Sequence, residues 1–123
     1  MKKKTLKKRS RSKATLDKAD RALQEWYRRN YPTDLCEVCG AKAEVRHHHI
    51  EKSKSNYLRY NPINLIALCN KCHQKLHFGD NSIVATYSIK RGEEWLNEIE
   101  KLKKISKPYY SKKELEEIIK LYQ

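Results

Sequence analysis

Every cysteine and every histidine of this chain falls between residues 36 and 77, and that concentration limits the available folds more than any other feature. The cysteines form two pairs, Cys36-x2-Cys39 and Cys69-x2-Cys72. Each pair can turn both thiolates toward one ion, and two pairs complete a tetrahedral shell. The 29 residues between the pairs are enough for a strand, a loop and a second strand. Gly40 follows the first pair, where a positive φ is often needed. The spacing predicts one structural zinc on Cys36, Cys39, Cys69 and Cys72. Four thiolates leave no open position, so this metal holds the fold and does no chemistry.

A metal staple suits the rest of the chain. Its 123 residues make one domain by length, and with 35% charged against 38% hydrophobic residues the core is thin. The formal net charge of +13 and pI near 9.7 point to a polyanionic partner. Nucleic acid fits better than membrane, since there is no long apolar run and no lipidation signal. The basic start is not followed by an apolar segment, so no signal peptide is expected. The expected location is the cytoplasm of a bacterial host cell, where structural disulfides are disfavoured.

Residues 2–13 hold eight Lys/Arg and no acid, which predicts a basic arm over 1–14, disordered when free and able to neutralise phosphates. Residues 15–123 read as one α+β domain. Leu16, Ala19, Leu23, Trp26 and Tyr27 recur at helical spacing over 15–30, with Thr15 as N-cap and Pro32 beyond the end. The core at 35–79 reads as a strand ending in three histidines, a polar loop, a second strand at 63–68, and a helix stopped by Gly79. After a polar link, helices follow over 91–105 and 111–122, the latter opened by a Ser111/Glu114 capping box.

His73 and His77 stand at i and i+4 and share one face of the core helix, a ready metal site. A third imidazole has to come from His47, His48 or His49, the remaining histidines of the chain.

The stretches "HHI" and "NLIALCNKCHQKLH" resemble the HNH endonucleases, which have a ββα-metal core. In that motif a residue pair at the end of the first strand precedes an apolar residue, here Ile50. The resemblance therefore implies His49 as general base and His48 as metal ligand, with Asn64 bracing the base. His73 and His77 complete the ligand set; a shift of register by one would exchange base and ligand, and His47 is expected to point away from the site, its role left open. One catalytic divalent metal is implied, with Mg2+, Mn2+, Ni2+ and Zn2+ left open. Three imidazoles favour a transition metal over Mg2+. The resemblance covers about 36–78.

"LRYNPINLIALCNKCH", with the following "GEEWLNEIEKLKK" and "ELEEIIKLY" segments, is more loosely similar to phage recombination nucleases of the NinG/Rap type. These are associated with branched DNA. That similarity implies flaps or junctions as substrates, and a second copy or phage recombination and packaging proteins as partners.

The implied reaction is phosphodiester hydrolysis with His49 taking a proton from water. Lys52, Lys54, Tyr57, Arg59 and Tyr60, in the loop between base and Asn64, would grip the DNA backbone and stack on bases. The alternative function is a non-catalytic zinc-stabilised module that binds DNA through its arm and helices, or a degenerate nuclease kept as an interaction protein.

Overall fold

A computed structural model of the chain describes residues 2–123, and side chains from Lys13 onward. The expected basic arm, 1–14, lies outside the described side chains except for its last two residues. Helix α1 spans Lys2–Asn30 and is continuous through Thr15, which sits inside it and does not cap it. It ends before Pro32, as expected.

The core follows as β1 (Val45–His48), a short helix α2 (Asn56–Arg59), a 3-10 turn (Pro62–Asn64), β2 (Leu65–Leu68) and α3 (Asn70–His77). Three helices close the chain: α4 (Ser82–Arg91), α5 (Glu93–Lys103) and α6 (Lys112–Leu121). This mixture of helices around a small two-stranded sheet is the expected α+β, ββα-type arrangement. Helix α2 lies in the expected polar loop and is capped by the buried Ser55, whose hydroxyl accepts from Leu58 N–H.

The stretch before residue 91 is not a polar link. It folds as α4, because Ile83 and Tyr87, at i and i+4, bury one face against Ile66 and Leu68.

The two strands pair antiparallel, with His48 opposite Leu65, His47 opposite Ile66, Arg46 opposite Ala67 and Val45 opposite Leu68. Residues directly opposite each other share a face. All four residues of β2 are buried, so both faces are covered. On one face Ile66 and Leu68 pack with Cys36, Cys69, Cys72, Ile83 and Tyr87. On the other, Leu65 packs with Ala19 and Leu23 of α1, Tyr60, and Leu115 and Tyr122 at α6. The register thus sends Val45 and His47 to the α3/α4 side and Arg46 and His48 to the α1 side.

Polar groups lock this arrangement. Gln24 of α1 grips β1 at its free edge. Its side-chain N–H donates to Arg46 O at 2.7 Å, and its oxygen accepts from Arg46 N–H at 2.9 Å. The buried Arg46 side chain pairs with Asp34 at 2.7 Å and lies over the Tyr27 ring. Arg91, at the end of α4, makes a two-pronged pair with Glu37, whose Oε2 accepts from Ala67 N–H in β2.

The capping box of α6 forms as expected, with Ser111 and Glu114 each accepting the other's backbone N–H. Lys107 and the Ser111 amide hold the Glu114 carboxyl down at about 2, below its ordinary 4.5. A depressed carboxyl stabilises the fold fully above pH 4.5 and loses that contribution as pH falls toward 2. The thermal midpoint of Glu114→Gln should therefore lie below wild type near neutrality, with the gap closing as pH falls below 4.5. A gap independent of pH would contradict this role.

Candidate metal and catalytic site

The first cluster is the cysteine quartet. Cys36-x2-Cys39 turns through Gly40, whose φ of 78° a side chain would strain, and Gly40 N–H returns to Cys36 O. Cys69 caps α3, its sulfur accepting from Cys72 N–H. All four Sγ atoms lie within 4.8 Å of one another, and none is in a disulfide. A tetrahedral ion with Zn–S of about 2.3 Å needs sulfurs about 3.8 Å apart. Cys39 and Cys69 sulfurs are 3.6 Å apart. Burial would raise the Cys36 thiol, but amides at Cys39, Cys69 and Val38 outweigh it and bring it to about 7. Burial among the other sulfurs pushes Cys72 up to about 12. Four thiols crowded together, three of them buried and Cys36 with amides aimed at its charged form, fit a structural metal such as zinc.

The second cluster is a cleft of about 560 Å³ between α1, β1 and α3, lined among others by Asp20, His47, His48, Lys52, His73 and His77. The His73 and His77 Nε2 atoms are 3.0 Å apart. The His47 ring stands 5.3 Å from that of His73 and 6.3 Å from that of His77. Burial, and then its histidine neighbours, hold His47 at about 4, so its imidazole is neutral and available as a ligand. Among the described residues, only the four cysteines have their ligand atoms within 4.8 Å. The three imidazoles are more open.

The histidine run divides between the two sides of the sheet. His48 lines the same cleft, but it leaves β1 on the α1 side with Leu65, whereas His47 leaves it on the side of His73 and His77. The His48 Nε2 is 2.7 Å from Arg59 O. A carbonyl only accepts, so Nε2 carries the proton and Nδ1 keeps the free lone pair. Burial lowers the His48 pKa.

His49 does not line the cleft. Its amide bonds to Asn64 O, which returns its side chain to the α4/α5 side. There Nδ1 is 2.6 Å from the buried Tyr87 hydroxyl, and the ring packs 4.9 Å from Trp95. His47, expected from sequence to point away, is the residue that faces the helical pair.

Asn64 is fully buried and holds this segment through its backbone at His49 and its side chain at Ile50. Its Oδ1 accepts from Ile50 N–H at 2.8 Å, and its Nδ2 donates to Ile50 O at 3.0 Å and Leu58 O at 3.3 Å. Asn64→Ala should cost about 1–3 kcal/mol for each buried group left unpaired, measured by urea unfolding. Unchanged stability would refute the brace.

The loop residues also part company. Lys52 lines the cleft, with Nζ 3.5 Å from Asp20, while Lys54 is exposed and turned away from it. Tyr57 is partly exposed. Arg59 is not free to grip DNA, because its guanidinium is bound two-pronged to Asp20 at 2.6 and 3.0 Å. Tyr60 is buried, its hydroxyl donating to Leu16 O and its ring against Tyr110, so it cannot stack on bases. Burial raises the Asp20 carboxyl, but the Arg59 hydrogen bonds and charge outweigh it and hold it low. Asp20 was missed because it reaches the site only through tertiary packing of α1. No local pattern marks it.

No helix among the described residues is long and apolar enough to cross a membrane. No curated protein and no solved structure matches this chain. Residues 36–79 do match the family model for HNH endonuclease. That segment holds both cysteine pairs, the histidine run, Asn64, His73 and His77. The chain is therefore similar to HNH endonucleases over this segment, 44 of its 123 residues.

Proposed function

We propose that the chain is a metal-dependent DNA endonuclease in which His48 is the general base. His47, His73 and His77 would hold a divalent ion that stabilises charge on the phosphate and the departing oxygen. The observation that carries this reading is the meeting of those four imidazoles in one cleft of the HNH segment, with His48 held by a backbone carbonyl.

The chain's own residues do the rest. Arg59 O fixes the His48 tautomer, and Nδ1 accepts a proton from water. The water oxygen bonds to phosphorus as the bond from phosphorus to the 3′ oxygen breaks. The lowered pKa of His48 keeps Nδ1 unprotonated near neutrality. Asp20 acts as a positioning residue, because it clamps the side chain of the residue whose carbonyl holds the base. Asn64 ties Ile50 to β2 and so fixes the path of the chain just past His48. All of these residues come from one chain.

The test is cleavage of plasmid, nicked, flapped and four-way DNA with Mg2+, Mn2+, Ni2+ or Zn2+ added in turn. Metal-dependent products are expected, and their pattern across the panel would show whether branched DNA is preferred. No cleavage with any ion would overturn the enzyme reading in favour of a DNA-binding module.

A further inference from the structure

A second cleft, of about 380 Å³, lies between the loop after β1 and the junction of α5 and α6. Lys54, Lys103, Lys104 and Lys107 line it together with Ser53 and Ser106, and no carboxylate does. The four ammonium groups come from separate segments: Lys54 from the loop, Lys103 and Lys104 from the end of α5, and Lys107 from the following link.

Lysines at a helix C-terminus favour the helix dipole. That accounts for Lys103 and Lys104 but not for the arrival of Lys54 and Lys107. Only part of the charge is neutralised within the protein. Lys107 pairs with Glu114 at 2.6 Å, and Lys103 has a long contact to Glu100 at 3.9 Å. Among the described residues, no ion pair involves Lys54 or Lys104.

The cleft is also held in shape. Asn56 Nδ2 donates to Lys107 O at 3.0 Å and to Pro108 O at 3.1 Å, and the Tyr110 hydroxyl donates to Asn56 O. One wall is thus fastened to the other. Converging like charges on a fixed frame repel one another unless an anion joins them.

The position says which anion. Glu51 and Lys52 line the histidine cleft, while the next four residues, 53–56, line the lysine cleft. Six residues span at most about 20 Å, well within one turn of duplex, about 34 Å. The backbone of a duplex seated at the histidines would extend far enough to meet the lysines.

We propose that the lysine cleft binds a backbone phosphate of the DNA, one or more positions away from the scissile bond. Six of the ten lining residues, 103–108, lie at the end of α5 and in the link to α6, outside the HNH segment, and the proposal rests on the DNA-cleaving reading above.

The test uses Lys54→Gln/Lys104→Gln, two exposed residues without ion pairs among those described. The measurement is binding of a fluorescently labelled duplex over a salt series. Each lost phosphate contact reduces the slope of log affinity against log salt by about 0.9. The double variant should lose about 1.8 from the slope. Wild type should then forfeit about tenfold more affinity than the variant between about 50 and 200 mM salt. Thermal midpoints should match. Lys101→Gln/Lys120→Gln, exposed but outside the cleft, should keep the wild-type slope. If wild type binds and cleaves DNA but the variant's slope is unchanged, or the control loses as much, the phosphate site is wrong and the nuclease reading stands. If wild type neither binds nor cleaves DNA, both fall.

Discussion

His48→Ala should lower the rate of DNA cleavage by about 10²- to 10⁴-fold, the usual contribution of a positioned general base. The side chain is half-buried, so the variant should stay folded and still bind DNA. The effect should appear in the rate of the chemical step in single-turnover cleavage.

The neighbouring substitution makes the assignment sharp. His49→Ala removes a ring from an aromatic pocket and leaves the buried Tyr87 hydroxyl without its partner. That should cost about 1–3 kcal/mol of stability while cleavage changes little at temperatures where the variant is folded. Cleavage lost with His49 and retained with His48→Ala would reverse the assignment and restore the register expected from Ile50.

The other large effect concerns the cysteine quartet. Cys36, Cys69 and Cys72 sit inside the same apolar cluster as Ile66, Leu68 and Tyr87. Structural zinc contributes roughly 10–16 kcal/mol in small zinc modules at pH 7, comparable with the whole stability of a domain, about 5–15 kcal/mol. Chelation, or Cys69→Ser, should therefore unfold the core. Purified protein should carry one tightly held zinc, and it should keep that zinc when all five histidines are replaced. Circular dichroism and metal content read both outcomes. A chain that melts cooperatively at an unchanged temperature with no metal would show that the quartet is not a staple.

The parts of the molecule set by short-range pattern were legible in advance. The paired cysteines, the α3 stop at Gly79, the α6 capping box and the His73/His77 face all depend on residues within a few positions of one another. What could not be read was which way each histidine of the run points. That depends on the β1–β2 register, which pairs His47 with Ile66 and His48 with Leu65, and on Asn64 capturing Ile50. A motif places a run of histidines near the site. A one-residue offset in a period-two strand then exchanges every side chain between faces. Arg59 and Tyr60 were misread for a related reason. Their surface chemistry is consumed by Asp20 and Leu16, both on α1, some 40 residues earlier. Helix α4 was missed because four of its ten residues, Ile83, Val84, Thr86 and Ile89, are β-branched, and burial against β2 outweighs their local preference.

The grip of Gln24 on Arg46 also bears on how much of this chain can be cut away. One amide side chain fills the hydrogen bonds that a third strand would make, so a helix seals the open side of β1. A fragment limited to residues 36–79 would keep both cysteine pairs and four histidines in the cleft, yet its first strand would bare that edge. Such an edge invites pairing with another copy. The portable unit of this chain is therefore larger than its recognisable motif, and α1 belongs inside any excised version that is to stay monomeric.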